Sequence, residues 1–552
     1  MAVTQNKVEE DPQVISQPAS PVQDSSAGES VSVQSTKSRG TMPKHTISHD
    51  EVGLVQAGSG PSILTENDCP EALAYAWPKW KKWGTLTIIF LVQISMNLNA
   101  SLYANGQSGI VKDLGVSSQA AVSGAAVFLV LYAFGCELWA PWSEEFGRKP
   151  VLQYSLLMVN LCCLPVGFAN IHRSFIGILI GRAFGGLFSA GGSVTLGVVA
   201  DMFIADEQEL PLAFIVLSSV GGSIIGPIIG GFIEQNLYWT WTIWIQLFFG
   251  LFVQILHLAY VPETRSAILV NRHAKKMRKD KFEATGESSN VFGPFELKPF
   301  TDYLIPKEVF AIWTRPFQML YKEKIVLVLS LLSGFSDALI FMQIQSLRLV
   351  FERWDFTDIQ IGLAFIPFGL AYVLAYLLYI PSIYRNRALR VKNPLSEHAQ
   401  YESRLWWLLF TAPLLPIGLL IFAWTSTRTV HWIAPMIGCL LIGIANYTIY
   451  MTTIDYMVKA YGPYSASATG GNGFARDFLA GVLTWAAAPY YDAFDFQYGL
   501  QVANTVLAGV GLILVVATFV IYYKGPSMRK RSPFAESIRG DAPLEVSPST
   551  IA

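Results

Sequence analysis

The sequence predicts an all-α membrane protein with twelve transmembrane helices in two halves of six. Three observations carry that expectation. Only 14% of the 552 residues are charged and 52% are hydrophobic, against about 25% charged in a soluble domain. Nearly uncharged runs recur along the chain, each reaching the roughly 18 residues needed to cross a bilayer. A polar stretch of about sixty residues splits these runs into equal groups.

In chain order, residues 1–78 are rich in Ser, Thr, Gln and Pro and have no signal-peptide apolar core, so they are expected to form a disordered cytoplasmic tail. Apolar segments follow at about 83–104, 120–141, 151–169, 175–200, 212–234 and 241–261. Six more fall at about 325–347, 359–383, 405–425, 432–453, 466–490 and 500–523, of which the Gly-rich 466–490 gives the poorest apolar signal. The halves are thus 79–261 and 325–523, joined by a middle loop, 262–324, and followed by a polar tail, 524–552.

Basic residues set the orientation. Arg265, Arg272, Lys275, Lys276, Arg278, Lys279 and Lys281 follow the sixth segment, and Arg385, Arg387, Arg390 and Lys392 follow the eighth. Arg148 and Lys149 follow the second, while Lys79, Lys81, Lys82, Lys524, Arg529, Lys530 and Arg531 flank the ends. The loop after the fourth dissents, with Asp201, Asp206, Glu207 and Glu209. The sum places both termini in the cytoplasm. Two six-helix halves around a basic loop is the plan of a secondary transporter.

Two stretches carry more detail. Gly221-Gly222-Ser223-Ile224-Ile225-Gly226-Pro227-Ile228-Ile229-Gly230-Gly231 lies inside the fifth segment, although glycine and proline are the poorest helix formers. In lipid, small residues let helix backbones approach and gain contact. Gly222, Gly226 and Gly230 share one face, and Pro227 removes a backbone hydrogen bond and permits a bend. The stretch is expected to be a close-packed hinge between moving halves. After the second segment, Ala140-Pro141-Trp142-Ser143-Glu144-Glu145-Phe146-Gly147-Arg148-Lys149-Pro150 places a tight turn at Gly147. Glu144 offers a carboxylate to Arg148 and Lys149, and a breakable pair there would latch a rocking bundle.

These residues resemble the major facilitator superfamily. Glu144, Gly147, Arg148 and Lys149 fit its signature between spans two and three. Gly222, Gly226, Pro227, Gly230 and Gly231 fit the span-five signature of its antiporter branches, and Arg182-Ala183-Phe184-Gly185-Gly186 with Asp201 looks like its span-four signature. "VPETRSAILVNRHAKKMRK" at 261–279 is similar to the segment after span six in fungal twelve-span drug:proton antiporters. The chain departs from the pattern at Ala140, at Glu144 in place of Asp, in the acidic loop after Asp201, and at Thr240 between Trp239 and Trp241. The resemblance implies the major facilitator fold and proton-coupled alternating access.

A charge in the bilayer core costs several kcal/mol, so each needs a reason. By the resemblance, Arg182 of span four is associated with proton coupling, and it is expected to face the cavity. Asp337 in span seven is the first candidate for proton or cation binding, and Glu137, near Pro141, is a further coupling candidate. Arg476 and Asp477 adjoin in span eleven, and adjacent helix residues do not face each other, so each is expected to have its own partner. Gln93 with Asn97, and Asn446 with Tyr450, stand at i, i+4 and complete a plausible cavity. Asp201 and Asp455 are expected in the cytoplasmic ion network and Arg348 at the outer mouth.

Cys69, Cys136, Cys162, Cys163 and Cys439 lack ligand spacing, and the histidines are scattered, with His45 and His49 in the tail, so no metal or cofactor is expected. No phosphate loop, HExxH or GxSxG motif is present, which argues against an enzyme. The net charge of -1 gives no reason to expect nucleic acid. The expected activity is proton-coupled export of small organic molecules, such as drugs, toxins or related metabolites. Export of di- or tricarboxylic acids such as citrate, polyamine export, and a non-transporting substrate sensor are the alternatives. Arg182, Arg348 and Arg476 against Asp337, Asp477 and Glu137 leave the sign of the cargo open. The partners expected are substrate, protons and membrane lipid, for a monomer in the plasma membrane or the vacuolar membrane.

Overall fold

Span one is the helix Lys79–Leu102, span two Ser118–Phe146, span three Arg148–Gly167, span five Glu209–Asn236 and span six Trp241–Tyr260. In the second half, span seven is Lys324–Phe351, span eight Ile366–Lys392, and span nine Trp406–Thr411 with Leu414–Thr425 across Pro413. Span ten is Ile433–Tyr461, span eleven Ser465–Asp492 and span twelve Gly499–Arg529. This computed structural model describes residues 62–189, 191–204, 207–286, 289–296, 306–494, 498–532 and 534–535. Most of both expected tails, with His45 and His49, lies outside the described residues, as does Asp206. Among the described residues ten helices are long and apolar enough to cross a membrane. Spans four and eleven bring the bundle to twelve and miss that standard for different reasons.

Span four is not the single helix expected over about 175–200. It is broken into Phe175–Phe188 and Gly191–Met202, with Ser189 extended at ψ 114° between them. A break inside the membrane frees carbonyls that lipid cannot satisfy. Here Trp139 Nε1 donates to the Leu187 carbonyl at 3.0 Å, and Ser155 Oγ donates to the Phe188 carbonyl at 2.7 Å. Span eleven is continuous, but Asn472, Arg476, Asp477 and its glycines lower its apolarity. It packs between spans two and seven rather than against lipid. The side chains that do face outward are apolar, such as Ile176 and Ile180 on span four, Phe252 and Ile255 on span six, and Ile513 and Val516 on span twelve. Such an apolar exterior suits a lipid solvent.

The region 262–324 contains the helices Ser266–Thr285 and Pro306–Lys322. Ser62–Ile63 (β1) pairs in parallel with Val291–Phe292 (β2). Short 3-10 turns then carry residues 66–76 along the first of those helices, where Cys69 and Leu73 bury against Val270 and Ser266 Oγ donates to Glu66. Arg278 donates twice to Glu296, at 2.7 Å each, and this holds the Glu296 carboxyl below its ordinary range.

Candidate functional site

Span eleven places Arg476 and Asp477 at the centre of the bundle, both buried. The expectation of separate partners is corrected here. Arg476 Nε and Nη2 donate to the two Asp477 carboxylate oxygens at 3.0 and 3.1 Å. The Cβ directions diverge, but the long arginine folds back round the helix and reaches its neighbour's short acid. Asp337 of span seven approaches the same guanidinium at 3.8 Å, and the Tyr450 ring of span ten lies 4.2 Å from it. Asn446, one turn before Tyr450, donates to Ser336 Oγ at 3.1 Å.

This cluster continues into the first half. Ser219 Oγ donates to the Tyr450 hydroxyl at 3.5 Å, Gln93 Nε2 donates to Ser219 Oγ at 3.3 Å, and Thr195 Oγ1 donates to Gln93 Oε1 at 3.2 Å. A polar chain therefore runs from spans four, one and five to spans ten and eleven. Asn97 is not part of it: its amide donates to the Gln93 carbonyl at 3.1 Å and its Cβ faces Gly222. A cavity of about 310 Å³ extends from Arg476, Asp477 and Glu137 to the end of the bundle bearing the Gly147 turn, termed the loop end below. Asp337 lies behind Arg476, outside the lining.

Arg182 does not face this cavity. It is enclosed within the first half, where Nε donates to the Gly124 carbonyl at 3.1 Å and Nη1 to the Asn99 carbonyl and Oδ1 at 2.8 and 2.9 Å. The rings of Phe128 and Tyr103 lie 4.1 and 4.5 Å from its guanidinium carbon. Two carbonyls, a side-chain amide and two aromatic faces replace the carboxylate that a buried cation otherwise needs.

At the loop end, Gly147 has φ +102°, a conformation that suits glycine. The carboxylate expected beside Arg148 and Lys149 was Glu144, but Glu144 is 3.9 Å from Arg148 while Asp201 accepts from Arg148 Nε at 3.0 Å. Lys149 Nζ donates to the Leu258 carbonyl at 3.0 Å. The closest acid to the turn is Glu263, which is buried and accepts the backbone N–H groups of Arg148 (2.9 Å), Lys149 (3.2 Å), Thr264 (2.9 Å) and Arg265 (2.9 Å). It sits at the start of span three, where free N–H groups and the helix dipole favour an anion. Arg265 completes the knot by donating to the Glu144 carbonyl at 3.1 Å.

Ion pairs also join the halves at both ends. Near the loop end, Glu209 of span five accepts from Arg390 at 2.6 Å and lies 2.9 Å from Arg404, which also binds Asp455. At the far end, Arg348 lies 2.7 Å from Glu234 of span five and donates to Asp358 at 2.9 Å.

Three of the five span-five motif glycines do not line a hinge between the halves. Gly222, Gly226 and Gly230 press on Asn97, Ser101 and Asn105, which belong to span one and the turn after it, in the same half. Ser101 Oγ donates to the Gly222 carbonyl at 3.1 Å. Within the motif, Gly231 and the Pro227 carbonyl reach the second half, against Gly362.

Sequence reasoning missed Thr195, Ser219, Glu209, Glu234 and Glu263 as parts of these networks. Glu263 was visible within "PETR" and Glu209 in the acidic loop, but their partners lie on helices remote in sequence.

The sequence profile of the Major Facilitator Superfamily matches residues 88–485. A Penicillium rubens transporter of this type, paaT, is 28% identical over 467 residues, covering 84% of this chain and 81% of the relative. A probable drug/proton antiporter of Saccharomyces cerevisiae, YHK8, is 27% identical over 474 residues, covering 84% and 88%. Among solved structures, the Escherichia coli xylose transporter XylE in a partially occluded inward-open conformation superposes with a TM-score of 0.56 at 12% identity, covering 81% of this chain and 98% of XylE. With the profile spanning most of both halves and the fold matching, the chain belongs to the Major Facilitator Superfamily of membrane transporters, which are not enzymes.

Proposed function

We propose that this transporter is a proton-coupled exporter of small organic molecules working by alternating access, with both termini cytoplasmic and the cavity opening to the cytoplasm. The observation that carries the reading is the polar chain from Thr195 to Arg476, which crosses between the halves at the inner end of the cavity. Rocking of the halves must break its Ser219–Tyr450 contact. Arg476 is shared between Asp477 and Asp337, so a proton arriving on Asp337 leaves the guanidinium to Asp477 alone and alters the charge facing the cavity. The probable drug/proton antiporter among its relatives supports export over uptake. The plasma membrane is the proposed location.

The test uses the full chain in proteoliposomes with an imposed pH gradient and an internal pH dye. Citrate, spermidine and a cationic dye are supplied in turn. Wild-type protein is expected to move protons with one class of cargo. Asp337→Asn is expected to lose proton flux at least tenfold while keeping substrate exchange. Undiminished substrate-driven proton movement by folded Asp337→Asn protein would overturn the assignment.

A further inference from the structure

We infer that Glu137 is the recognition carboxylate of the central cavity and that the cargo is an organic cation of amine or pyridinium type. The inference rests on the exporter reading and names its substrate class.

Three arginines and three acids are balanced in the sequence, but the structure removes two of the arginines from the cavity. Arg182 is walled off behind Phe128 and Tyr103 within the first half. Arg348 is held at the far end by Glu234 and Asp358. What remains around the cavity's inner end is Arg476 against Asp477, Asp337 and Glu137. Arg476 already gives two donors to Asp477. Arg148 and Arg265, nearer the loop end, are both paired with Asp201.

Glu137 differs from the other acids. Its residue is 7% exposed, it lines the cavity, and Oε1 has no hydrogen-bond partner among the described residues. Among the described residues no ion pair reaches it; Gly470 of span eleven faces its carboxylate, with no side chain to cover it. A buried carboxylate without a partner is costly, and a cationic ligand or a proton removes that cost. Much of the remaining wall is apolar, with Leu196, Val199, Ile454 and Val458. Along the whole chamber of about 310 Å³, Glu137, Glu144, Asp201 and Asp477 stand against Arg148, Arg265 and Arg476, so the unpaired Glu137 leaves an excess of one acid, which fits a small amphipathic cation better than a carboxylate cargo.

The experiment measures binding of 1-methyl-4-phenylpyridinium and of benzoate to the full chain in lipid nanodiscs. The two probes share an aromatic body and differ in charge. The pyridinium is expected to bind and benzoate not to. Glu137→Gln is expected to weaken pyridinium binding at least tenfold, and Glu137→Asp to restore most of it, which a merely structural role would not do. Benzoate binding in preference to the cation, binding of neither probe by folded protein, or equal cation affinity in wild type and Glu137→Gln would each overturn the inference. Cation binding at Glu137 without proton flux in proteoliposomes would instead sink the exporter reading and leave the recognition site standing. Proton flux driven by benzoate would do the reverse.

Discussion

Gly362→Ala should open the far end of the transporter. A methyl group there would lie 2.8 Å from the Pro227 carbonyl oxygen, 3.2 Å from Gly231 Cα and 3.3 Å from the Ile228 carbonyl oxygen. All three are backbone atoms of span five, so none can swing aside as a flexible side chain would. Overpacking of this kind costs about 1–3 kcal/mol. Gly362 and span five belong to different halves, so the cost falls only on the conformation with the far end closed. A bias of about 1–3 kcal/mol between two states multiplies the open population about 5–150-fold. Gly226→Ala is the control. Its methyl would meet Ser101 and the Leu102 backbone nitrogen, inside one half, and so should burden both conformations alike. A second cavity, of about 400 Å³, lies at the far end beside Glu234, Arg348 and Gly362, and the assay places a single cysteine at Gln345 in its lining, in a chain whose native cysteines are replaced. Labelling by a membrane-impermeant maleimide should accelerate in Gly362→Ala. In Gly226→Ala the labelling rate should stay unchanged while the melting temperature falls. Wild-type labelling in folded Gly362→Ala, or acceleration by Gly226→Ala, would refute the reasoning.

Two other substitutions separate structural from transporting charges. Arg182→Lys keeps the charge but loses the planar fork that serves Gly124 and Asn99 and stacks on Phe128; thermal stability should drop with substrate affinity unchanged, measured by melting and by probe binding. Glu263→Gln weakens the anionic acceptor of four backbone N–H groups around the Gly147 turn, a loss of about 1–3 kcal/mol. Trypsin should then cleave faster after Arg148, and an unchanged cleavage rate would contradict the role given to Glu263.

Much of this architecture was legible because membrane helices obey a one-dimensional rule. Each span must be long and apolar whatever it packs against, so the twelve segments could be read without knowing any contact. Span eleven gave the poorest apolar signal because its exposure to lipid is low, and its polar residues face other helices rather than hydrocarbon. The break in span four was not visible: it depends on Trp139 and Ser155 of two other spans capturing the carbonyls it frees.

The candidate site divides the same way. The sequence by itself determined the fold class, the superfamily signatures and the short roster of membrane-embedded charges, because burying a charge in lipid is expensive enough to make each one conspicuous. Only the tertiary structure decided which of those charges share a chamber. Arg182 and Arg476 look equivalent along the chain, yet one stacks on aromatic rings inside a half and the other reaches Asp477 and Asp337 between the halves. The span-five glycines likewise promised close packing, but which helix they approach depends on how the bundle rotates each span about its axis. That rotation is set by the sum of side-chain contacts between remote segments, and no single stretch of sequence contains it.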